Sequence, residues 1–441
     1  SYLVGGAVRD IFLNKKPSDW DLTTNATPEQ VIKLFKNVIP TGIAHGTVTV
    51  HFMGKEIEVT TFRTESEYSD GRHPDCVNYT SCIDDDLSRR DFTMNAIAVN
   101  LKTGKIIDLF NGKKDIKKKI IRTVGNPHER FLEDCLRPVR AIRFSCQLNF
   151  SIEKYTYLEI FKKEVLQKVS SISVERFRDE FVKILESNVP SIGLKKMEEC
   201  GIMKIFLNDF LICRNCIQGD FRGFHKFDVL DHLFYACDGA PKDKLNVRLA
   251  ALFHDIGKPT VKKIEKTDDG DKFTFYNHEI ESEKIARRVL VSLKFPNSIV
   301  DDVCHLVKLH MFHYECNWTD AAVRRFIIKA RPECIDDLFD LRLADIYGMN
   351  NVKTICNSTV SNNLLEFRDR IDALIKKNSA LCLKDLKING NDLMQIGIGP
   401  GKIIGIVLNE LFNVVIEDPN ENEHEKLMKL AENFYNQNYK K

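Results

Sequence analysis

The chain has 441 residues, 43% of them hydrophobic and 29% charged, with a formal net charge of +2. That length allows several domains, and the composition excludes a disordered or collagen-like chain. No apolar run approaches the roughly 20 residues of a membrane span and no secretory signal precedes the first strand, so no membrane partner is expected.

Taken in chain order, "YLVG" reads as a buried strand and "VRDIFLN" as a helix launched after Gly5-Gly6. Asp19-Trp20-Asp21 then precedes "LTT", which has the look of a strand. "TPEQVIKLF" is a helix with Thr27 at its N-cap and Pro28 in its first turn. "TVTVHFMGKEIEVTTF" alternates β-branched residues about Gly54-Lys55 and reads as a hairpin, and "NAIAVNLKTGKIIDLF" repeats the pattern about Thr103-Gly104. Beyond about residue 125 strand signals almost vanish, and amphipathic stretches such as "EIESEKIARRVLVSLKF" follow. The fold class expected is α+β, a mixed-sheet head with helices followed by an all-α body.

The charge is uneven. "NGKKDIKKKIIRTVG" carries six lysines and arginines against one aspartate, which suits either a solvated face or a polyanion. The 13 cysteines are odd in number and scattered, as expected of reduced thiols in a cytoplasm. Cys213 and Cys216 have CxxC spacing without the second pair or matched histidines that a zinc site needs.

On a strand the period of two points Asp19 and Asp21 to the same side. Glu56 and Glu58 share that relation in "KEIEVTTF", so a neighbouring strand could add a third acid, Glu58. Clustered carboxylates invite a divalent cation, and oxygen-only ligation suits Mg²⁺ bridging to substrate phosphates. Gly5 and Gly6 let backbone N–H groups approach phosphate oxygens at a helix N-terminus. Amides for a triphosphate and acids for metals describe a phosphoryl-transfer site.

The motifs "LVGGAVRD…DWDLTT", "EVTTFRTESEYSDGRHPDCV", "RRDFTMNA", "DLFNG", "ERFLEDCLRPVRAIRF" and "ERFRDEF" together resemble the class II tRNA nucleotidyltransferases, the CCA-adding enzymes, of the polymerase-β superfamily. The resemblance covers roughly the first 185 residues. It implies that Asp19 and Asp21 hold catalytic Mg²⁺, that Gly6 and Arg9 contact the incoming nucleotide, and that "RRDFTMNA" recognises its ribose. Arg90 and Asp91 of that element could distinguish a 2′-OH from hydrogen. The substrates implied are tRNA, CTP and ATP, and no DNA is expected. "YSDGRHPDCV" resembles the loop that full CCA enzymes and A-adders have and CC-only enzymes lack. Members of the family carry a short helix before the first strand, so a trimmed N-terminus is expected here.

Asp134, Arg137, Arg140 and Arg143 recur every third residue, a slowly drifting polar stripe if all lie on one helix. A carboxylate can accept from the exocyclic amine of C or A, and an arginine can donate to the ring nitrogen or to O2 of cytosine. In the resembled family Asp134 and Arg137 form such an amino-acid template, with Arg140 and Arg143 nearby. Pro138 stands inside the stripe, so the helix must begin late or bend.

"VLDHLFYA", "ALFHDIGKP", "FYNHEIES", "LVKLHMF" and "RLADIYG" present His232, His254, Asp255, His278, His310 and Asp345. Mixed imidazoles and carboxylates suit a divalent transition metal that generates hydroxide from water. The set resembles the HD-domain metal-dependent phosphohydrolases. His232, His254, Asp255 and Asp345 match the basic ligands, and His278 and His310 match the extra ligands of two-metal members. Phosphomonoesters or 2′,3′-cyclic phosphates at RNA ends are the substrates expected. Near the C-terminus, "IGIGPGKIIG" suits either a phosphate clasp or a helix–turn–helix corner.

The divisions expected are a nucleotidyltransferase head (1–125), a helical neck with the recognition helix (126–220), an HD domain (221–350) and a helical tRNA-binding tail (351–441). The leading reading is a cytoplasmic CCA-adding nucleotidyltransferase with an HD phosphohydrolase. An A-adding enzyme or poly(A) polymerase is the near competitor. An HD-type RNA-end phosphohydrolase with an RNA-binding head, and a pure RNA-binding scaffold, are the alternatives of other classes.

Overall fold

β-Branched alternation builds the central sheet of the head. In the computed structural model, which describes residues 1–43, 46–66, 76–219, 226–268, 270–350, 359–377 and 381–439, the head strands are β1 (Tyr2–Val4), β2 (Trp20–Thr24), β3 (Val38–Gly42), β4 (Thr47–Phe52), β5 (Lys55–Thr61), β6 (Arg63–Ser66), β7 (Cys76–Tyr79), β8 (Ala98–Asn100) and β9 (Ile106–Ile107). Seven of them form one sheet in the order β3-β4-β5-β2-β1-β8-β9, and β6 pairs with β7 as a separate ribbon. The sheet is mixed: β2 and β5 run parallel while β1 is antiparallel to both β2 and β8. Register places Asp21 directly beside Glu58.

The β4–β5 hairpin forms, but it turns on Met53 and Gly54, both at positive φ, rather than on Gly54-Lys55. Lys55 is already paired, opposite Phe52. Two left-handed residues in a two-residue loop match the twist of the flanking strands. Thr27 begins the helix Pro28–Leu34, with its N–H donating to the Gln30 side chain at 2.9 Å.

The neck is helical, and Pro138 finds its explanation there. The helix Arg137–Leu148 starts late, so Pro138 occupies its first turn, where a missing N–H breaks no bond. Asp134 is therefore not on that helix. It caps the end of the preceding helix, Pro127–Glu133, in an extended conformation, and accepts from Leu136 N at 3.1 Å. The stripe of four splits into one residue at a corner and three arginines on a helix.

Neck and HD helices share one hydrophobic core with the underside of the head, running from Leu3 through Val139, Phe177 and Phe253 to Phe367. Arg248 fastens the neck to the HD domain. Although buried, it donates to Leu185 O and Ser187 O at the end of the helix Val174–Leu185. A hairpin of Lys263–Thr267 and Gly270–Thr274, unforeseen in the sequence, interrupts the HD helices. The tail has its own core, in which Leu393, Val407 and Leu411 pack with Leu427. Arg324 ties it down by donating to Ile416 O and Glu417 O. "IGIGPGKIIG" forms the corner before the helix Lys402–Glu417, with Gly397 and Gly401 at positive φ. No helix among the described residues is long and apolar enough to cross a membrane.

Candidate active sites

Parallel pairing of β2 with β5 gathers the acids of the head. Burial raises the pKa of Asp21, with Arg90 opposing and Asp19 adding to the rise. Glu58 is raised by burial and by the charges of Asp21 and Asp19. Mutually repelling carboxylates suit a divalent cation, although among the described residues the oxygens of Asp19, Asp21 and Glu58 do not all lie within 4.8 Å of one another. Gly5, at φ +69°, opens the helix Gly5–Phe12 beside them. A Cβ there would stand 3.0 Å from Asp21 Oδ2 and 3.3 Å from Arg90 Nη1, so only glycine brings the helix end up to the acids. Gly6 faces the Arg9 guanidinium.

Arginines surround the remaining side of this site. Arg9 donates to Asn95 Oδ1 at 3.0 Å and to Asp10 at 2.9 Å. Arg90 donates to the buried Asp86 at 3.2 Å. Arg140 grips Asp91 Oδ2 through Nε (3.0 Å) and Nη2 (2.7 Å). Against the cost of burial, Arg140 and Asn95 hold the Asp91 carboxyl down to about 2. Arg143 lies 2.5 Å from Glu180 Oε2, and burial lowers its pKa to about 10 even so. Arg9, Arg140 and Arg143 all flank the Phe144 ring, at 5.3, 5.6 and 3.8 Å from its centroid. The result is a row of arginines held in place by carboxylate partners beside the acids of β2 and β5.

The two residues expected to read the base are occupied in this structure. Asp134 accepts from Arg176 Nη2 at 3.0 Å. Arg137 is buried and donates to Glu133 Oε2, Arg130 O and Arg89 O. Arg176, Glu180, Asn95, Asp86 and Phe144 were not singled out from sequence. Arg176 and Glu180 stand four apart in "ERFRDEF", a spacing that puts both on one helix face. The motif at 68–77 lies mostly outside the described residues.

The second constellation is brought together in full. His232, His254 and Asp345 form one group of buried donors and Asp255, His278 and His310 another. Asp255 joins them: Oδ2 lies 3.2 Å from His232 Nε2 and 3.4 Å from His254 Nε2, while Oδ1 lies 3.0 Å from His278 Nε2. His254, His278 and His310 each direct Nδ1 to a backbone carbonyl three residues back, at 2.7–2.8 Å. Donation there fixes the tautomer that leaves Nε2 as a lone-pair donor to the centre. Nε2 atoms then face each other at 3.0 Å (His232 and His254) and 3.2 Å (His278 and His310). Burial alone would lower the His254 pKa, but Asp255 and Asp345 push it up to about 10, the response of a donor cluster to its own negative charge. Such donors fit divalent cations, which His232, His254 and Asp345 on one side and Asp255, His278 and His310 on the other would hold.

Two further residues complete this site. Lys258, buried, reaches Asp255 Oδ2 at 2.5 Å and Gln218 Oε1 at 2.7 Å. Gly257 is where the HD turn meets the helix His278–Ser292. A Cβ would lie 2.6 Å from Ser282 N and 2.8 Å from His278 O, both backbone atoms. Gly257→Ala is therefore expected to push that helix away, to cost about 1–3 kcal/mol and to weaken metal retention. Thermal unfolding and metal analysis after dialysis check both effects. Cys213 and Cys216 are buried thiols outside both donor groups, with Cys213 Sγ against Ile256 O.

Fold and sites together define a nucleotidyltransferase head joined through a helical neck to an HD domain. Residues 1–122 match the family model of the poly A polymerase head domain, 149–211 that of the probable RNA and SrmB-binding site of polymerase A, and 222–349 the HD domain. The chain belongs to the family of CCA-adding enzymes: it is 32% identical to the CCA-adding enzyme of Ligilactobacillus salivarius over 94% of this chain and 88% of that one. With the CCA-adding enzyme of Lactobacillus helveticus identity is 53% over 184 residues, 42% of this chain and 45% of that protein. The crystal structure of the Bacillus stearothermophilus CCA-adding enzyme in complex with CTP superposes with a TM-score of 0.73 at 27% identity, covering 99% of this chain and 93% of that one.

Proposed function

We propose that the protein adds CMP, CMP and AMP to the 3′ ends of tRNA, drawing on CTP and ATP and releasing pyrophosphate. The observation that carries this is the pairing of Asp21 with Glu58 across β2 and β5, under a helix end that only Gly5 allows so close. Asp19 and Asp21, with Glu58 behind them, would hold Mg²⁺, which supplies activation of the attacking hydroxyl and charge neutralisation at the leaving pyrophosphate. In each addition the terminal oxygen bonds to the α-phosphorus, the bond to pyrophosphate breaks, and the hydroxyl proton is released. Backbone N–H groups at Gly5 and Gly6 and the guanidiniums of Arg9 and Arg90 orient the phosphates. Asp91, fixed by Arg140, is placed for the ribose.

Base choice falls to Asp134 and Arg137, with Arg140 and Arg143 holding their surroundings. Because both readers already have partners within the chain, a base must replace those contacts rather than fill empty positions. A base that satisfies only one of the two leaves the other charge, part-buried Asp134 or buried Arg137, short of a partner, which sharpens discrimination. The neck and the tail beyond residue 350 are the surfaces we assign to tRNA. The thiols support a cytoplasmic setting.

A second activity is favoured by the two bridged donor groups. We assign the HD site to metal-dependent hydrolysis of phosphate esters at RNA ends, with Lys258 placed to meet a phosphate oxygen.

Incubation with a tRNA lacking its CCA end tests the main reading. Extension by three residues with CTP and ATP together, and by two with CTP alone, is expected. Addition of A alone, and only to a tRNA ending in CC, would make the protein an A-adding enzyme instead.

A further inference from the structure

A cavity of about 500 Å³ lies between the end of the helix Asn297–Leu309 and the helix Asp320–Ala330, outside both donor groups. Phe312, Trp318 and Phe326 line its wall. Behind them stands Phe367, fully buried, with ring centroids at 6.3, 5.7 and 4.9 Å from theirs. The wall is thus a preformed aromatic surface. Lys308, Arg325 and Lys329 line the same cavity. Arg325 pairs with Glu417, whereas Lys308 and Lys329 have no acidic partner among the described residues.

The cavity lies near the second donor group, behind its ligands, none of which lines it. Met311, another lining residue, directly follows His310, and the lining Glu279 has Oε2 3.9 Å from His278 Nδ1. Half-exposed aromatic faces beside unpaired ammonium groups suit a flat ring carrying a negative charge. A cavity of this size can enclose one nucleoside.

We propose that the cavity is a nucleoside-phosphate site. It seats the base of a 3′-terminal nucleotide against Trp318, with Lys308 and Lys329 drawing in its phosphate. The inference rests on the phosphohydrolase reading for its place in a reaction, but not for its binding. One ligand chemistry has two sources here, a free nucleotide and an RNA 3′ end.

Trp318 is one of only two tryptophans, so Trp20→Phe leaves it as the sole reporter. The full chain, stripped of metal with chelator, is titrated with 3′-AMP, with a short oligoribonucleotide ending in a 2′,3′-cyclic phosphate, and with ribose 5-phosphate. Saturable quenching by at least one of the first two and none by ribose 5-phosphate is expected. Lys308→Ala/Lys329→Ala should weaken that binding roughly tenfold or more. Quenching by the oligonucleotide alone assigns the site to RNA ends, and quenching by both admits free nucleotides. Should Trp20→Phe fold poorly, the difference between wild type and Trp318→Phe gives the same signal. No saturable change, or a titration indifferent to the double substitution, overturns the proposal. Hydrolysis by the metal-loaded protein is scored separately. Binding without turnover under any metal keeps the cavity and removes the phosphohydrolase reading, and turnover without a Trp318 signal does the reverse.

Discussion

Asp21→Asn is expected to lower nucleotide addition by roughly a thousandfold or more without destabilising the protein. Asparagine keeps the size of the side chain, so the 3.0 Å approach to Gly5 is preserved. What disappears is a negative charge that burial, Asp19 and Glu58 already make unfavourable, as the raised pKa values of Asp21 and Glu58 record. Removing it should leave the melting temperature unchanged or slightly higher. A carboxylate kept mainly to offset the nearby Arg90 and Arg9 charges would behave in the opposite way, and its loss would lower stability. The measurement is single-turnover addition of labelled CMP to a tRNA without CCA, alongside thermal unfolding of the same preparation. Near-normal addition by a folded Asp21→Asn protein would overturn the assignment of the head as the site of synthesis. It would turn attention to the HD domain as the main activity.

The local features of the head were legible because each rests on short-range rules, whereas the histidines and aspartates from His232 to Asp345 follow no local period and are grouped only by their resemblance to the HD phosphohydrolases. Period two carried Asp21 onto a strand face, and Thr27-Pro28 announced a helix start. The parallel register that sets Asp21 beside Glu58 joins segments more than thirty residues apart, and only their shared acid spacing hinted at it. Spacing alone cannot tell one helix from two, so the run from Asp134 to Arg143 is one face only if a single helix carries it. Pro138 was the clue that it is broken, and the chain breaks before it. The hairpin Lys263–Thr267 with Gly270–Thr274 escaped because its first strand is exposed throughout and shows no apolar alternation. Glu180 and Arg176 escaped for another reason: their partners Arg143 and Asp134 lie on other elements, and pairing across elements has no sequence period. Asn95 and Phe144 sit within motifs that were recognised, but their use depends on three arginines converging from two elements.

Asp255→Asn is expected to empty the HD site while leaving nucleotide addition intact. Among the described residues this carboxylate alone faces both donor groups, Oδ2 toward His232 and His254 and Oδ1 toward His278 and His310. Despite burial, Lys258 and His254 hold its pKa well below the usual range, as His232 and His254 do for Asp345. An amide in its place keeps the shape but offers one weak oxygen donor and no charge, so its own trio is reduced to His278 and His310 and the other trio loses the carboxylate oxygen beside His232 and His254. Metal bound after dialysis should fall from a retained complement to near zero, and any phosphate-ester hydrolysis should vanish with it. Stability is a confounding effect, because Lys258 loses a contact of 2.5 Å and becomes a buried ammonium without a carboxylate. Stranding such a charge costs about 3–5 kcal/mol. Asp255→Asn combined with Lys258→Met separates the two effects: the double variant should regain thermal stability yet still bind no metal. If the single variant retains its full metal content, Asp255 is not the bridge, and the two donor groups are independent sites or none. Labelled CMP addition measured on the same proteins then reports whether the head depends on the HD domain for more than its shared core.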